Sequence, residues 1–262
     1  IGTTITAQIV ALGTFEITTY LMLLACFGIF LFMFAKKDKI KTAGLAIAGL
    51  GLVFIALDFM SSAMHSFRSA PMVVEFLSDC KNPILLLLFG ALFTALIQSS
   101  SAVTTILISM VAAGLYIGGD PSSNAILYVI LGSNIGTCVT ALLSSFGATT
   151  NAKRASFIHF LFNFTGAFIF FIVLLCWPKF MANTFASWFE FESTQIAMFH
   201  TFFNGICTLL FLPIAKLFVK VSELVVKDQK KNKKTAFIDE RFLNTPAVAI
   251  SQAGKETLRV GR

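Results

Sequence analysis

Four consecutive polar residues, Gln98, Ser99, Ser100 and Ser101, interrupt a long apolar stretch in GALFTALIQSSSAVTTILIS at 90–109. Thr94, Thr104 and Thr105 add hydroxyls close by. A second polar phrase, GSNIGTCVT at 132–140, gathers Ser133, Asn134, Thr137 and Thr140 around Gly132 and Gly136. Hydroxyls and primary amides donate and accept hydrogen bonds without carrying charge. They suit two kinds of guest: an oxyanion, which takes their protons, and a hard cation such as sodium, which takes their oxygens. Between Lys81 and Lys153 the only charged side chain is Asp120. Such a set can hold a multivalent anion but cannot neutralise it. Burying one ion still costs several kcal/mol after relaxation, and a hydrogen bond to a charged group returns only about 1.5–3 kcal/mol. An anion must therefore arrive with cations, or the guest is neutral or zwitterionic. An anion channel would instead use rings of Arg or Lys.

Two further phrases echo each other, IHFLFN at 158–163 and FHTFFN at 199–204. Each sets a His and an Asn four residues apart on one helical face: His159 with Asn163, His200 with Asn204. No carboxylate or second His stands at ligand spacing, so a metal centre is a poor fit. A structural hydrogen bond from Asn to a neighbouring broken helix is expected at least as much as direct ligation of the guest. An intramembrane enzyme would need Ser100 as nucleophile within hydrogen-bond reach of His159 or His200. No GxSxG-like elbow surrounds these serines, and the chain reads as a transporter without cofactor, not an enzyme.

The elements that position these groups lie in hydrocarbon. Of 262 residues 56% are hydrophobic, 13% are charged and 30 are Phe, with a mean hydropathy of +0.83. A soluble domain carries about a quarter charged residues. Apolar runs at 15–34, 43–60, 124–146, 155–176 and 194–219 approach or exceed the ~20 residues that cross a bilayer core. The chain reads as an all-α, multi-pass integral membrane protein. On an unbroken helix, four consecutive polar side chains would point in every direction, some into lipid. A helix break at 98–101 is expected, as a re-entrant hairpin whose turn signal is Asn82-Pro83. Gly132 and Gly136 permit unwinding or close backbone approach, and unwound helices near the midplane hold sodium and substrate in transporters. A small-residue packing face is the other reading of that motif.

Basic residues cluster at 36–41 (KKDKIK), at Lys153-Arg154 and from Lys220 to Lys234. Lys and Arg mark cytoplasmic loops, so these segments and the tail are expected in the cytoplasm. The basic balance of +7 is then a membrane signature, with no nucleic-acid partner implied. Between 83 and 146 an odd number of crossings is required, met by three spans or by one re-entrant hairpin and one span. Asp58 is expected near the outer end of its span. The five Cys residues show no CxxC spacing, which argues against a disulfide framework or zinc site. No cleavable signal peptide is visible. The phrase IGTTITAQIVALG at 1–13 returns as IGTCVTALLSSFG at 135–147, an internal repeat.

QSSSA at 98–102, GSNIGTCVT at 132–140 and KRASFIHFLFN at 153–163 resemble the sodium/phosphate cotransporter type II family, in its bacterial branch. The resemblance implies an inverted-repeat transporter fold with a re-entrant hairpin and broken helices in a cell membrane. It implies sodium-coupled transport of inorganic phosphate, with sodium as coupling ion. Gln98, Ser99, Ser100 and Ser101 would contact phosphate. Ser100, Thr104, Ser133, Asn134 and Thr137, with Thr3 and Thr4, would coordinate sodium. Asn163, Asn204, His159 and His200 would support the site. Residues 1–14 would be the remnant of a first repeat, 15–82 linking helices, 83–221 the second repeat, and 222–262 a cytoplasmic linker with the start of a PhoU-like domain. The first repeat would be incomplete and the chain an internal fragment. Cys138 stands where that family usually has Thr, and Ser133 where it has Ala. Another anion or zwitterion (sulfate, a carboxylate, an amino acid) is the alternative cargo. A phosphate sensor acting on cytoplasmic partners, or dimerising, through the PhoU-like tail is a third reading.

Overall fold

The computed structural model describes residues 2–12, 18–227, 237, 242 and 245–260, and every regular element among them is helical. In chain order these are α1 (Gly2–Ala11), α2 (Thr18–Phe34), α3 (Asp38–Arg68), α4 (Pro71–Asp79), α5 (Pro83–Ile97), α6 (Ser100–Ala112) and α7 (Ala125–Gly136). Then come α8 (Cys138–Ser144), α9 (Thr150–Cys176), α10 (Phe180–Asn183), α11 (Phe185–Trp188), α12 (Glu192–Phe211), α13 (Ala215–Val225) and α14 (Pro246–Val260). Among the described residues, three stretches are long and apolar enough to cross a membrane: Asp38–Met60 in α3, Ala125–Ser144 across α7 and α8, and Thr150–Cys176. Two further pairs qualify only together, α4 with α5 bent by 117° and α12 with α13 bent by 81°. The chain is an all-α, multi-pass membrane protein.

Hydrogen bonds sort the helix ends onto two faces. Gly118 N–H donates to Leu77 O at 2.8 Å, which ties the start of α5 to the end of α6. Asn124 Nδ2 donates to Leu174 O and Trp177 O, and its Oδ1 accepts from Met181 N. Tyr116 Oη donates to the Glu192 carboxylate. One face thus collects 69–82, 113–124 and 177–192. At the other end, Arg154 Nε donates to Val226 O at 3.1 Å, pairing the start of α9 with the end of α13. The turn between α2 and α3, with Lys36 and Lys37, belongs to that second face, because α3 runs from it to α4. Acidic Glu75, Asp79, Asp120, Glu190 and Glu192 lie on the first face, and most of the basic residues on the second. We refer to them as the acidic and basic faces.

With both ends of α5–α6 tied to the acidic face, the pair is a re-entrant hairpin, and α7–α8 is the one span that follows it. The requirement for an odd number of crossings is met in that way. Asn82 shows why α5 starts where it does. Its Oδ1 accepts from Ile84 N and Leu85 N, and Pro83 follows at a position that needs no N–H.

One expectation about the spans needs correction. The run 194–219 is not one straight span: α12 stops at Phe211, and beyond Pro213 the chain turns by 81° into α13, since Pro removes a backbone donor. Asp58 does lie near the end of its membrane-crossing stretch, Asp38–Met60, with its side chain exposed, although α3 itself continues to Arg68. Residues 13–17, which start the run 15–34, and most of the tail from 228 to 244 lie outside the described residues. A phenylalanine cluster seals the acidic-face half, with Phe170 edge-on to Phe199, Phe202 and Phe203. Such pairs add about 0.5–1.5 kcal/mol each beyond area burial.

Candidate functional site

The helix break falls on the polar run. Helix α5 ends at Ile97, Gln98 takes the left-handed conformation (φ 59°, ψ 24°), and α6 begins at Ser100. Gln98 is the only non-glycine residue with positive φ among the described residues. That conformation costs an L-residue roughly 1–2 kcal/mol, and strained backbone that persists clusters at functional sites. Gln98 N–H still bonds Thr94 O at 2.6 Å, and Ser99 caps α6 by accepting from Ala102 N. The Ser99 hydroxyl proton remains free for a guest, as do the N–H groups of Ser100 and Ser101 at the start of α6, which have no intrahelical acceptor. That turn also carries the positive end of the helix dipole. Ser100 is buried, Ser99 and Ser101 are half-buried, and Gln98 is exposed. At 15 residues α5 is roughly 22 Å long, so the tip sits within the ~30 Å hydrocarbon layer.

Glycines set the tip against α7. A Cβ on Gly132 would stand 1.9 Å from Leu87 O, one on Gly136 would stand 2.3 Å from Ala91 O, and one on Gly90 would stand 2.1 Å from Val129 O. Leu87 and Ala91 meet Gly132 and Gly136, and Gly90 and Thr94 meet Val129 and Ser133, each pair advancing by four on both helices, so α5 and α7 run parallel, backbone on backbone. Thr94 Oγ1 donates to Ser133 Oγ at 2.8 Å across this seam. Four residues on from that pair along each helix stand Gln98 and Thr137, so the QSSS tip and the GSNIGT segment share one depth. The segment is not unwound as expected. Helix α7 is continuous through Gly136, with a one-residue interruption at Thr137 whose φ and ψ stay helical. Its glycines serve close packing, the second of the two readings.

The remaining sequence candidates fall into place unevenly. Ser133 and Asn134 are buried; Asn134 Nδ2 donates to Ile130 O and Thr137 Oγ1 to Ser133 O. Cys138 Sγ donates to Asn134 O and His159 O, sewing α8 to α9. Asn163 reaches a neighbouring broken helix, where its side chain hydrogen-bonds Cys138 at the start of α8, whereas Asn204 makes no such contact across helices among the described residues. Each side-chain amide donates to the backbone of its own helix one turn back, at His159 O (3.0 Å) and His200 O (2.9 Å). His159 is exposed. Thr4 is buried and Thr3 half-buried on α1, which packs against α6 and α12.

His200 was undersold by the sequence. Its imidazole is 1% exposed, and neither ring nitrogen has a partner. The Thr104 and Thr140 hydroxyls are the only other buried side-chain polar atoms without one among the described residues. Each such group costs about 1–3 kcal/mol if nothing ever meets it. Thr104 lies one turn below Ser100 on the same face of α6, and Thr140 one turn beyond Thr137. No hydrogen bond joins Ser100 to either histidine among the described residues, so the geometry assembles no nucleophile–base pair there. Nor do they include a cluster of His, Cys, Asp or Glu able to hold a metal ion. No Lys or Arg is buried among them either. A cavity of about 480 Å³ sits elsewhere, between α4, α5 and α6, lined by residues such as Phe76, Phe93, Leu107 and Met110. It offers an anion no polar group.

The Na+/Pi-cotransporter family pattern matches residues 1–62 and 69–181. The chain belongs to that family. Among Na+/Pi-cotransporter relatives, YjbB of Salmonella typhimurium, named for inorganic phosphate export, is 27% identical over 265 residues, 100% of this chain and 47% of YjbB. YqeW of Bacillus subtilis is 30% identical over 86% of this chain and 70% of its own length. The human sodium-dependent phosphate transport protein 2B is 30% identical over 72% of this chain and 29% of its own length. The chain spans about half the length of the first of these Na+/Pi-cotransporter relatives. No solved structure matches it.

Proposed function

We propose that this chain supplies one half-site of a sodium-coupled transporter of inorganic phosphate working by alternating access. The observation that carries the reading is the tip of the α5–α6 hairpin. There a strained Gln98, the Ser99 cap and the buried Ser100 set a helix N-terminus at the depth of the Thr94–Ser133 seam. Phosphate is held by Gln98, Ser99, Ser100 and Ser101 through side-chain donors and first-turn N–H groups. Sodium is held by the oxygens of Ser100, Thr104, Ser133, Asn134 and Thr137, joined by Thr3 and Thr4 of α1. Thr140 joins the oxygen set because its buried hydroxyl has no partner. His200 on α12, which packs against α6, with Asn163, Asn204 and His159, supports the site from the surrounding helices. With no buried Lys or Arg among the described residues, sodium supplies the charge compensation, so phosphate and sodium move together. Relatives named for phosphate export and for sodium-dependent phosphate transport bear on the cargo; direction follows from the gradients.

The basic face is assigned to the cytoplasm by the positive-inside rule, which puts 36–41, 153–154 and the tail beyond Lys220 there. The test is phosphate flux into proteoliposomes holding the full-length protein, with sodium or choline outside. Flux is expected to fall at least tenfold in choline, and again in the Ser100→Ala variant. Undiminished flux in both would overturn the reading, and sulfate flux of equal size would move the cargo to a broader anion class.

A further inference from the structure

The break after α12 creates a helix that the transport site does not use. Helix α12 runs from the acidic to the basic face, and α13 leaves it at 81°. A helix nearly perpendicular to a span lies near the plane of the membrane. Its three surfaces are distinct. Phe218 packs edge-on against Phe211 and Ser222 is fully buried, so that side faces the bundle and α9. Lys216, Lys220 and Glu223 recur at four- and three-residue spacing along a second, charged side. Between them, Leu217 and Leu224 stand two turns apart, 56% and 75% exposed. In water that strip would be a liability; at the boundary of a bilayer it is an anchor.

Charge selects the lipid. Residues 150–154 and 212–227, which meet where Arg154 holds Val226 O, carry five basic side chains against the single acid Glu223. Lys and Arg side chains next to the bilayer are drawn to anionic headgroups. We propose that α13 is an in-plane interfacial helix, with Leu217 and Leu224 set among acyl chains and Lys216, Lys220 and Lys227 on anionic headgroups. Arg154 fastens its far end to α9.

The test places a nitroxide on the intact protein in vesicles, at Leu224→Cys or Lys216→Cys, with Cys26, Cys80 and Cys176 replaced by Ser. Collision rates with oxygen, which concentrates in lipid, and with a water-soluble nickel chelate are compared. At 224 oxygen should dominate severalfold, and at 216 the chelate. Adding phosphatidylglycerol to phosphatidylcholine vesicles should deepen position 224, and Lys220→Glu with Lys227→Glu should abolish that response. Free access of the chelate to 224 overturns the proposal. So does shielding of 224 from both reagents, which would mean that protein covers it, from the tail or a second copy. A depth indifferent to phosphatidylglycerol overturns the choice of an anionic surface.

Discussion

Gln98 occupies a backbone position that glycine would hold without strain. Keeping a side chain there, at a cost of roughly 1–2 kcal/mol, makes sense only if that side chain acts. Gln98→Gly is therefore expected to leave thermal stability unchanged or raised by about 1 kcal/mol, while phosphate flux falls at least tenfold. A melting curve and an uptake assay on the same preparation check both halves. Thr94 is the opposite case: its hydroxyl reaches the buried Ser133 hydroxyl and no guest is needed to explain it. Thr94→Val strands Ser133 in the seam and should lower stability by about 1–3 kcal/mol, seen as a lower melting temperature with the QSSS tip intact. At this scale the sequence was legible where residue types were incongruous, as with QSSS in an apolar run. It was not legible for His200, because one His in an apolar helix looks the same whether or not its nitrogens find partners.

At the scale of elements, the α5–α7 seam separates packing glycines from permissive ones. Gly132→Ala drives a methyl into the Leu87 carbonyl at 1.9 Å, and neither backbone can yield without parting the helices. The variant should lose several kcal/mol or fail to accumulate, since overpacking alone typically costs 1–3 kcal/mol. A methyl added at Gly49 of α3 would meet nothing within 4 Å. Gly49→Ala should be neutral or stabilising by about 0.5–1 kcal/mol, and comparing the two melting temperatures checks the contrast. The same comparison explains why GSNIGT was hard to read. Glycine spacing permits both an unwound helix and a tight crossing, and only the partner helix decides between them. Spans were readable from hydropathy, but where a span ends was not: Pro213 sits inside an apolar run, and the 81° turn after it does not change composition enough to show. The Asn204 amide is hard to read for a related reason, because a carbonyl of its own helix four residues back is always within reach.

For the whole molecule, two faces follow from a handful of hydrogen bonds, and the charge asymmetry between them gives an orientation. Single cysteines at Lys37 and Asp120, in a background without exposed thiols, should react with a membrane-impermeant maleimide from opposite sides of intact cells, Asp120→Cys from outside. The alternation of basic and apolar segments made the topology legible in advance, apart from the choice between three spans and a hairpin with one span. That choice rested on the Leu77–Gly118 tie, a contact between residues 41 positions apart that no local pattern encodes. The central claim concerns charge: an uncharged pocket holds phosphate only in the company of sodium. Linkage makes this measurable at equilibrium, since sodium must tighten phosphate binding by the factor by which phosphate tightens sodium. Binding of radiolabelled phosphate to the purified full-length protein, titrated with sodium at constant ionic strength in choline, is the most direct test. The apparent affinity should rise at least tenfold with saturating sodium; an affinity that is the same in choline as in sodium would contradict the account.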